Sequence, residues 1–397
     1  MVSDVYGICN FPGSEALASA LRERSVSEPA AFSFGIEEEY FLIDEAGTLA
    51  FITPDSFFEN AKSATNGSVD REFLQSQVEI AIPPQLKMSD ARNELSYLRR
   101  VVAQYAKAHG LRIMASGTHP TGDWEQSVQS RKQRYDKVMA DLQIIGRRNL
   151  LCGMHVHVAV PDPALRVELM RRITPFVPLF IALSTSSPFW QSHRTGLKGY
   201  RLAAYDELPR TGIPEYFSST HEYEAYVQAL VNAGAIESSS SLWWTLRPSA
   251  KYPTLELRAP DCCTRLDDAI AIAALFRALV RHFVLRPNLG RPPDTVSRAL
   301  AVENKWRAQR YGIHGSFATE DGPIPVPSFL DRTLAMIEED IIALQCGDEI
   351  ERCRVIAAEG TSADAQLAIW DAKRLRHDPS DPFAPVIDWI AETTVSV

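Results

Sequence analysis

Residues 31–44 read AFSFGIEEEYFLID, with three successive carboxylates, Glu37, Glu38 and Glu39, inside an otherwise apolar run. A solvated acidic face is not framed by Phe32, Phe34 and Ile36 on one side and Tyr40, Phe41, Leu42 and Ile43 on the other. Side chains alternate along a strand, so Glu37 and Glu39 share one face and Glu38 takes the other. Two carboxylates on one half-buried surface repel each other and lose hydration. They stay ionised only where a cation or basic partner offsets that cost. Divalent hard cations fill this role because they prefer carboxylate oxygen. The alternative is a charged edge strand with all three residues wet.

Three further segments carry polar pairs at i, i+2 in apolar surroundings. FLQSQVEIAI, residues 73–82, aligns Gln77 with Glu79 and stops at Pro83-Pro84. LLCGMHVHVAV, residues 150–160, aligns His155 with His157 and leaves Met154, Val156 and Val158 opposite. TLELRAP, residues 254–260, aligns Glu256 with Arg258 and leaves Leu255 and Leu257 opposite. Each pair alone has an ordinary explanation: structural histidines with satisfied hydrogen bonds, or an ion pair on a wet strand. Four pairs in phase predict a sheet with one polar-lined cleft and one greasy face covered by helices.

The remaining organisation is read from period and breakers. Residues 1–30 are expected to form an N-terminal arm. A helix is expected from Ser89 to Gly110, with Ser89 as N-cap and Ala91, Leu95, Leu98, Val102 and Tyr105 on its apolar face. A strand follows at 111–117, a helix at 131–148, and a helical segment at 163–184 divided by Pro175 and Pro178. The long stretch 186–217, rich in Gly, Pro and aromatics, reads as a lid or binding loop. DDAIAIAALFRALVRHFV, 267–284, is a helix, and LRPNLGRPPDT, 285–295, is a boundary. The expected organisation is a catalytic α+β domain at 31–285 and a mainly helical C-terminal region at 296–397 packed on the same domain.

Composition bounds the function. The 397 residues, 45% hydrophobic, suffice for a substantial core; Phe51, Phe57, Phe58 and Trp190 are expected within it, a subunit interface being the alternative. The formal net charge of −9 argues against general nucleic-acid binding but leaves an anionic small substrate open. Six scattered cysteines without a CxxC pattern fit a reduced, cytoplasmic setting. The N-terminus lacks a secretory pattern, and AIAIAALFRALV is interrupted by Arg277, so no membrane span is expected. Neither GxGxxG nor GxxxxGK[ST] occurs, so a nucleotide's phosphates would be held another way. A carboxylate-rich inventory selects Mg²⁺ or Mn²⁺ over zinc, and carboxylate-held Mg²⁺ commonly grips phosphates. Arg201, Arg210, Arg247 and Arg258 supply planar forks for carboxylate or phosphate. Together these imply ATP with Mg²⁺ and a carboxylate substrate.

FGIEEEYFLID, LQSQVEIAIPP, CGMHVHVAVPD, LPRTGIPEYF, WWTLRPSAKYPTLELRAPD, ENKWRAQRYG and EGTSADAQL occur in this order between Phe34 and Leu367. In these motifs the chain resembles the glutamate–cysteine ligase type 2 family, more narrowly its bacterial carboxylate–amine ligase branch. The resemblance implies an α+β, glutamine-synthetase-like catalytic fold: a curved, mainly antiparallel sheet forming a funnel, with helices on the outer face. It implies that Glu37, Glu39, Glu79 and Glu256 are metal-binding acids, with His155 beside a phosphate-side metal. Glu72 is a further candidate metal acid, whose odd separation from Glu79 would require a bulge. Arg258 and Arg210 would grip the substrate carboxylate, and Arg247 would contact a phosphate.

The implied reaction couples ATP to amide formation through an acyl phosphate, joining glutamate to cysteine or another amine. No protein nucleophile is required, so Cys152, Cys262 and Cys263 are expected to be core. A homodimer is an expected assembly. Two rivals stand beside this reading: a zinc amidohydrolase built on the HxH strand, and a catalytically silent amino-acid or ATP sensor.

Overall fold

The alternation in residues 34–44 builds a strand at the heart of the molecule. The computed structural model describes residues 32–290, 292–375 and 381–396, so the expected N-terminal arm lies outside the described residues. Strand β1 spans Phe34–Asp44, and its residues alternate between buried and half-buried as far as Tyr40. From Tyr40 to Ile43 both faces are buried. The other strands are β2 (Val69–Arg71), β3 (Gln77–Ala81), β4 (Leu111–Met114) and β5 (Met154–Ala159). A short hairpin, β6 (Phe189–Trp190) and β7 (His193–Arg194), precedes β8 (Leu246–Pro248) and β9 (Thr254–Leu257).

Every pairing in the main sheet is antiparallel, in the order β2-β3-β1-β5-β9-β8. One edge of β1 is taken by β3. The other edge is divided, with β5 pairing the first half of β1 and β4 the second. This gives β1 neighbours along its whole length and fixes the acids in register.

The helices that frame the site are α1 (Met88–Lys107), α2 (Tyr200–Tyr205), α3 (Thr220–Asn232), α4 (Leu266–Leu285), α5 (Thr295–Tyr311), α6 (Ser362–Leu375) and α7 (Ala384–Val395). Helices α1 and α4 pack on each other and on the apolar side of the sheet. α1 buries Ala91, Leu95, Leu98 and Val102, as its period predicts. Each fully buried Leu or Val contributes roughly 1.5–3 kcal/mol relative to exposure. α4 is buried almost throughout, Asp268, Arg277 and His282 included, as befits a helix walled by others. Helices beyond the 285–295 segment pack back onto this body, α5 against the helix Val177–Ser184 and the helix Gly347–Glu359 against α4.

Phe57, Phe58 and Trp190 are buried within the chain, and Phe51 packs partly against the same core. The described cysteines are all buried and free, and burial pushes the Cys152, Cys262 and Cys263 thiols far up, so none is poised as a nucleophile. Among the described residues no helix is long and apolar enough to cross a membrane.

Several expectations are corrected. Ser89 is not the N-cap of α1: the helix starts at Met88 with Lys87 in the cap position, and no side chain caps it. The expected helix 131–148 breaks into Gln133–Leu142 and Ile144–Arg147 because Gln143 adopts φ 52°. The stretch 186–217 is not a bare loop but contains the β6–β7 hairpin and α2. Glu72 requires no bulge: it lies between β2 and β3, which are separate antiparallel strands.

Candidate active site

The register of the sheet lines the polar pairs into one row. Glu79 faces Glu39 as its direct partner across β3 and β1, and Asp70 faces Glu79 across β2 and β3. Glu37 faces His155 across β1 and β5. His157 faces Glu256, which in turn faces Arg247 on β8. Because partner residues in an antiparallel pair share a face, all these side chains emerge on the same side. Opposite His157 on β1 stands Gly35.

Within the row, His155 Nδ1 lies 3.2 Å from Glu37 Oε2, and His157 Nε2 lies 3.5 Å from Glu37 Oε1. His157 Nδ1 lies 2.9 Å from Thr254 Oγ1. Glu39 Oε2 accepts from the Gly153 N–H at 2.5 Å, and its other oxygen is 4.0 Å from His155 Nε2. Glu256 is clasped on both sides: Arg247 donates through Nε (2.9 Å) and Nη2 (3.1 Å), and Arg258 through Nη1 (2.5 Å).

Electrostatics divide the row into two halves. In the half nearest the arginines, burial alone would raise Glu256, yet Arg258, Arg247 and His157 hold it far below the usual carboxylate range. Burial would likewise raise Glu37, but the charge on His157 and hydrogen bonds from both histidines pull it well down. His155 is pushed down to about 4 by burial and by Arg258, which keeps the imidazole neutral. His157 is raised: burial works against its charge, but Glu37 and Glu256 outweigh it.

In the other half, cations are short. Burial and the neighbouring Glu72 lift Glu39 to about 7, and burial with Glu37, Glu72 and Glu39 lifts Glu79 well above its ordinary value. Glu39 and Glu79 are thus two opposed acids whose burial and mutual repulsion outweigh the cations that face them. Among the described residues no three His, Cys, Asp or Glu side chains stand gathered as a ready-made metal set. The fit to a divalent cation rests instead on this charge excess and on oxygen donors, with a neutral imidazole at the margin, which suits Mg²⁺ or Mn²⁺ better than zinc.

Two predicted arginines sit elsewhere or are otherwise engaged. Arg210 lies in the loop beside β8, at φ 60°; its Nε donates to Ser241 O (3.1 Å) and its guanidinium covers Trp243 at 5.3 Å. Arg247, read from sequence as a phosphate contact, is committed to Glu256 and to the carbonyls of Ser240 (2.9 Å) and Leu242 (2.8 Å). Gln77 shares the face of Glu79 but turns inward, donating to Leu151 O at 2.6 Å.

Sequence reasoning missed three groups. Asp70 extends the row and is bound by Lys132 (3.1 Å) and Lys62 (3.6 Å); its place opposite Glu79 depends on a hairpin the sequence did not reveal. Tyr205 reaches Arg258 Nη2 with its hydroxyl at 3.5 Å. Arg99 clasps Glu38 on the dry side of β1, through Nε (2.9 Å) and Nη2 (2.7 Å), and Tyr40 donates to the same carboxylate. Arg99 could have been suspected, because it falls between Leu95 and Val102 on the apolar stripe of α1.

Comparisons with known proteins place the chain in a family and give it fold relatives. Residues 33–375 match the model of glutamate-cysteine ligase family 2 (GCS2). A protein of Bradyrhizobium diazoefficiens named "Putative glutamate--cysteine ligase 2" is 53% identical over 368 residues, covering 92% of this chain and 85% of its own length. A protein of the same name from Rhodospirillum rubrum is 40% identical over 377 residues, covering 93% of this chain and 97% of its own length.

Two solved structures share the fold at low identity. A bifunctional glutathione synthetase from Pasteurella multocida superposes with TM-score 0.70 at 14% identity over 91% of this chain, which spans about half (52%) of that longer protein. A glutamate–cysteine ligase from Francisella tularensis, solved with AMP, gives TM-score 0.68 at 12% identity, covering 92% of this chain and 89% of that one.

Proposed function

This chain belongs to glutamate–cysteine ligase family 2, and on that premise we propose that it is an ATP-dependent ligase joining glutamate to cysteine or another amine. The observation that supports this reading most directly is the acid row, above all the opposed, buried Glu39 and Glu79 beside a half in which Arg247 and Arg258 clasp Glu256. Such a divided site suits a reaction in which a polyphosphate and a carboxylate must be brought together despite their like charge.

Glu37, Glu39, Glu79, Glu72, His155 and Glu256 are the residues that would hold divalent cations, Mg²⁺ or alternatively Mn²⁺. Bound there, such ions supply neutralisation of phosphate charge. His155, kept neutral by its surroundings, offers a lone pair without adding positive charge. Arg258 offers the donor carboxylate a planar fork, and Arg210 a second cation from the neighbouring loop; Arg247 would meet a phosphate only by loosening its hold on Glu256 or the carbonyls. The donor side-chain carboxylate attacks the γ-phosphorus of ATP, forming an O–P bond as the bond to ADP breaks. The amine nitrogen then attacks the acyl carbon and expels phosphate. Neither step requires a protein nucleophile, in keeping with the inert, buried cysteines.

The test is an ADP-release screen with Mg²⁺, glutamate and a library of amines, with mass detection of the amide. ADP release that depends on both the carboxylate and the divalent ion, with one amine preferred, is expected. Tightly held zinc with amide hydrolysis and no ATP turnover, or ATP binding without ADP release across the whole panel, overturns the reading.

A further inference from the structure

Away from the acid row, a cavity of about 640 Å³ opens where four helices have their ends: α4 and α6 begin there, and α7 and the helix Gly347–Glu359 finish there. Its volume is that of a small-molecule site. None of the residues lining it belongs to the acid row, and its charged lining is of both signs.

Most of that charge is spent within the protein. Arg92 Nε donates to Asp267 at 2.8 Å, and Arg352 holds Asp268 through Nε and Nη2, both at 2.7 Å. Asp364 pairs with the Lys198 ammonium. Two groups remain. Arg265 immediately precedes α4; its guanidinium lies 5.3 Å from the Trp389 ring and 4.0 Å from Asp268 Oδ2, and it makes no side-chain hydrogen bond among the described residues. Glu359 is the last residue of its helix, and its exposed carboxylate has neither a hydrogen bond nor an ion pair among the described residues.

Both groups carry the sign that their helix end disfavours. A helix start bears partial positive charge and a helix end partial negative charge. Arg265 brings a cation to the start of α4, where the two aspartates of the first turn are already engaged by Arg92 and Arg352. Glu359 brings an anion to the end of a helix whose last turn holds no basic residue. Neither placement serves its own helix, and the two side chains do not pair with each other across the cavity they share. A molecule bearing both a carboxylate and an ammonium group complements both. The planar fork of Arg265, backed by Trp389, suits the carboxylate, and Glu359 suits the ammonium.

We infer that this cavity is an effector site for a small zwitterion, an α-amino acid, with its carboxylate on Arg265 and its ammonium toward Glu359. Its route to the acid row runs through Asp364 in the cavity wall, which accepts from Thr361 N and Oγ1, both at 3.0 Å, and pairs with Lys198 just ahead of α2. At the far end of α2 the Tyr205 hydroxyl lies 3.5 Å from Arg258 Nη2. Occupancy of the cavity thus bears on the acid row without entering it.

Binding is measured by calorimetry on the full chain, without ATP or divalent ions, against a panel of α-amino acids, with acetate and methylamine as half-ligands. At least one amino acid is expected to bind where neither half-ligand does. Its affinity should persist in Arg258→Lys and fall about tenfold in Arg265→Gln and in Glu359→Gln. Ala368→Trp, at an exposed position of α6 in the cavity wall, should abolish binding without removing either charge. No binding by any amino acid, equal binding of acetate, or binding lost in Arg258→Lys but kept in Arg265→Gln overturns the site.

The effect on turnover is read with an amino acid of the panel that is not itself consumed. ADP release is expected to change on its addition to the wild type but not to Ala368→Trp. The same response in both proteins, or none in either, overturns the effector role. If the wild type releases no ADP at all, the ligase reading fails instead. The effector role is then judged by hydrogen exchange: slower exchange across residues 198–206 on binding upholds it, and unaltered exchange sinks it.

Discussion

Glu39 and Glu79 face each other as direct partners across β1 and β3, and both carboxyl groups are held above their ordinary range. Like charges directly opposed across a ladder destabilise it. The sheet therefore keeps these two acids together against their own repulsion, which is expected of residues retained for a ligand rather than for the fold.

Replacing Glu79 with glutamine should separate stability from activity. In the presence of a chelator, Glu79→Gln is expected to raise folding stability by about 1 kcal/mol, because it removes one of the opposed charges. Divalent-dependent ADP release should fall by roughly 100-fold or more. Urea titration and the ADP assay read the two effects. A lower urea midpoint in the variant would remove the charge-excess argument.

Arg258→Lys should weaken the donor rather than stop turnover. Arg258 spans Glu256 and Tyr205 with separate guanidinium nitrogens, a geometry an ammonium cannot match. KM for the carboxylate donor is expected to rise about tenfold, equivalent to about 1.4 kcal/mol of binding. Steady-state kinetics at saturating ATP measure it, and an unaltered KM counts against the assignment.

His119 sets part of the acid limit of the fold. Its Nδ1 accepts from Thr121 N (3.2 Å), and its Nε2 lies 3.1 Å from Gly47 O, so the buried ring is satisfied in its neutral form. Burial pushes it down from 6.5 to about 4, despite the opposing hydrogen bond to Gly47. A depressed folded value means that stability is fully present above 6.5 and is lost as pH falls toward 4, since the unfolded chain takes up the proton first. The loss attributable to this residue is on the order of 2–3 kcal/mol. Chemical denaturation from pH 7 to pH 4 should show a shallower decline in His119→Gln than in the wild type; parallel curves would show that His119 does not contribute.

The pair Glu38–Arg99 should be costly to break singly and cheap to remove together. Both side chains are fully sealed from solvent, with Nη2 to Oε1 at 2.7 Å. Arg99→Met leaves a buried carboxylate without its partner and is expected to cost about 3–5 kcal/mol. The double variant Arg99→Met with Glu38→Gln should recover much of that loss. A double-mutant cycle measured by denaturation tests it, and additive losses would show the pair to be uncoupled.

The acid row was legible in the sequence because strand period alone decides which face a residue takes. Glu37 and Glu39, His155 and His157, and Glu256 betray their common face by spacing, and Glu38 is consigned to the opposite one. What spacing cannot give is register across strands. That Glu39 meets Glu79, or that Asp70 joins the row, depends on hairpins closed by contacts between distant residues. Helix ends were also poorly legible, since α1 begins without a side-chain cap. Arg201 appeared only as one cation in a loop, because its burial on Gly153 is created by tertiary packing.

Arg99 also donates to Cys263 O (2.8 Å), Thr264 O (2.9 Å) and Thr394 O (3.3 Å), and the Thr394 hydroxyl accepts from Ala115 N at 2.9 Å. One guanidinium thereby ties the back of the central strand, the segment leading into α4 and the last turn of α7 to a single point. A disturbance of α7 accordingly has a direct route to the strand that carries the acids, through one side chain rather than through the sheet.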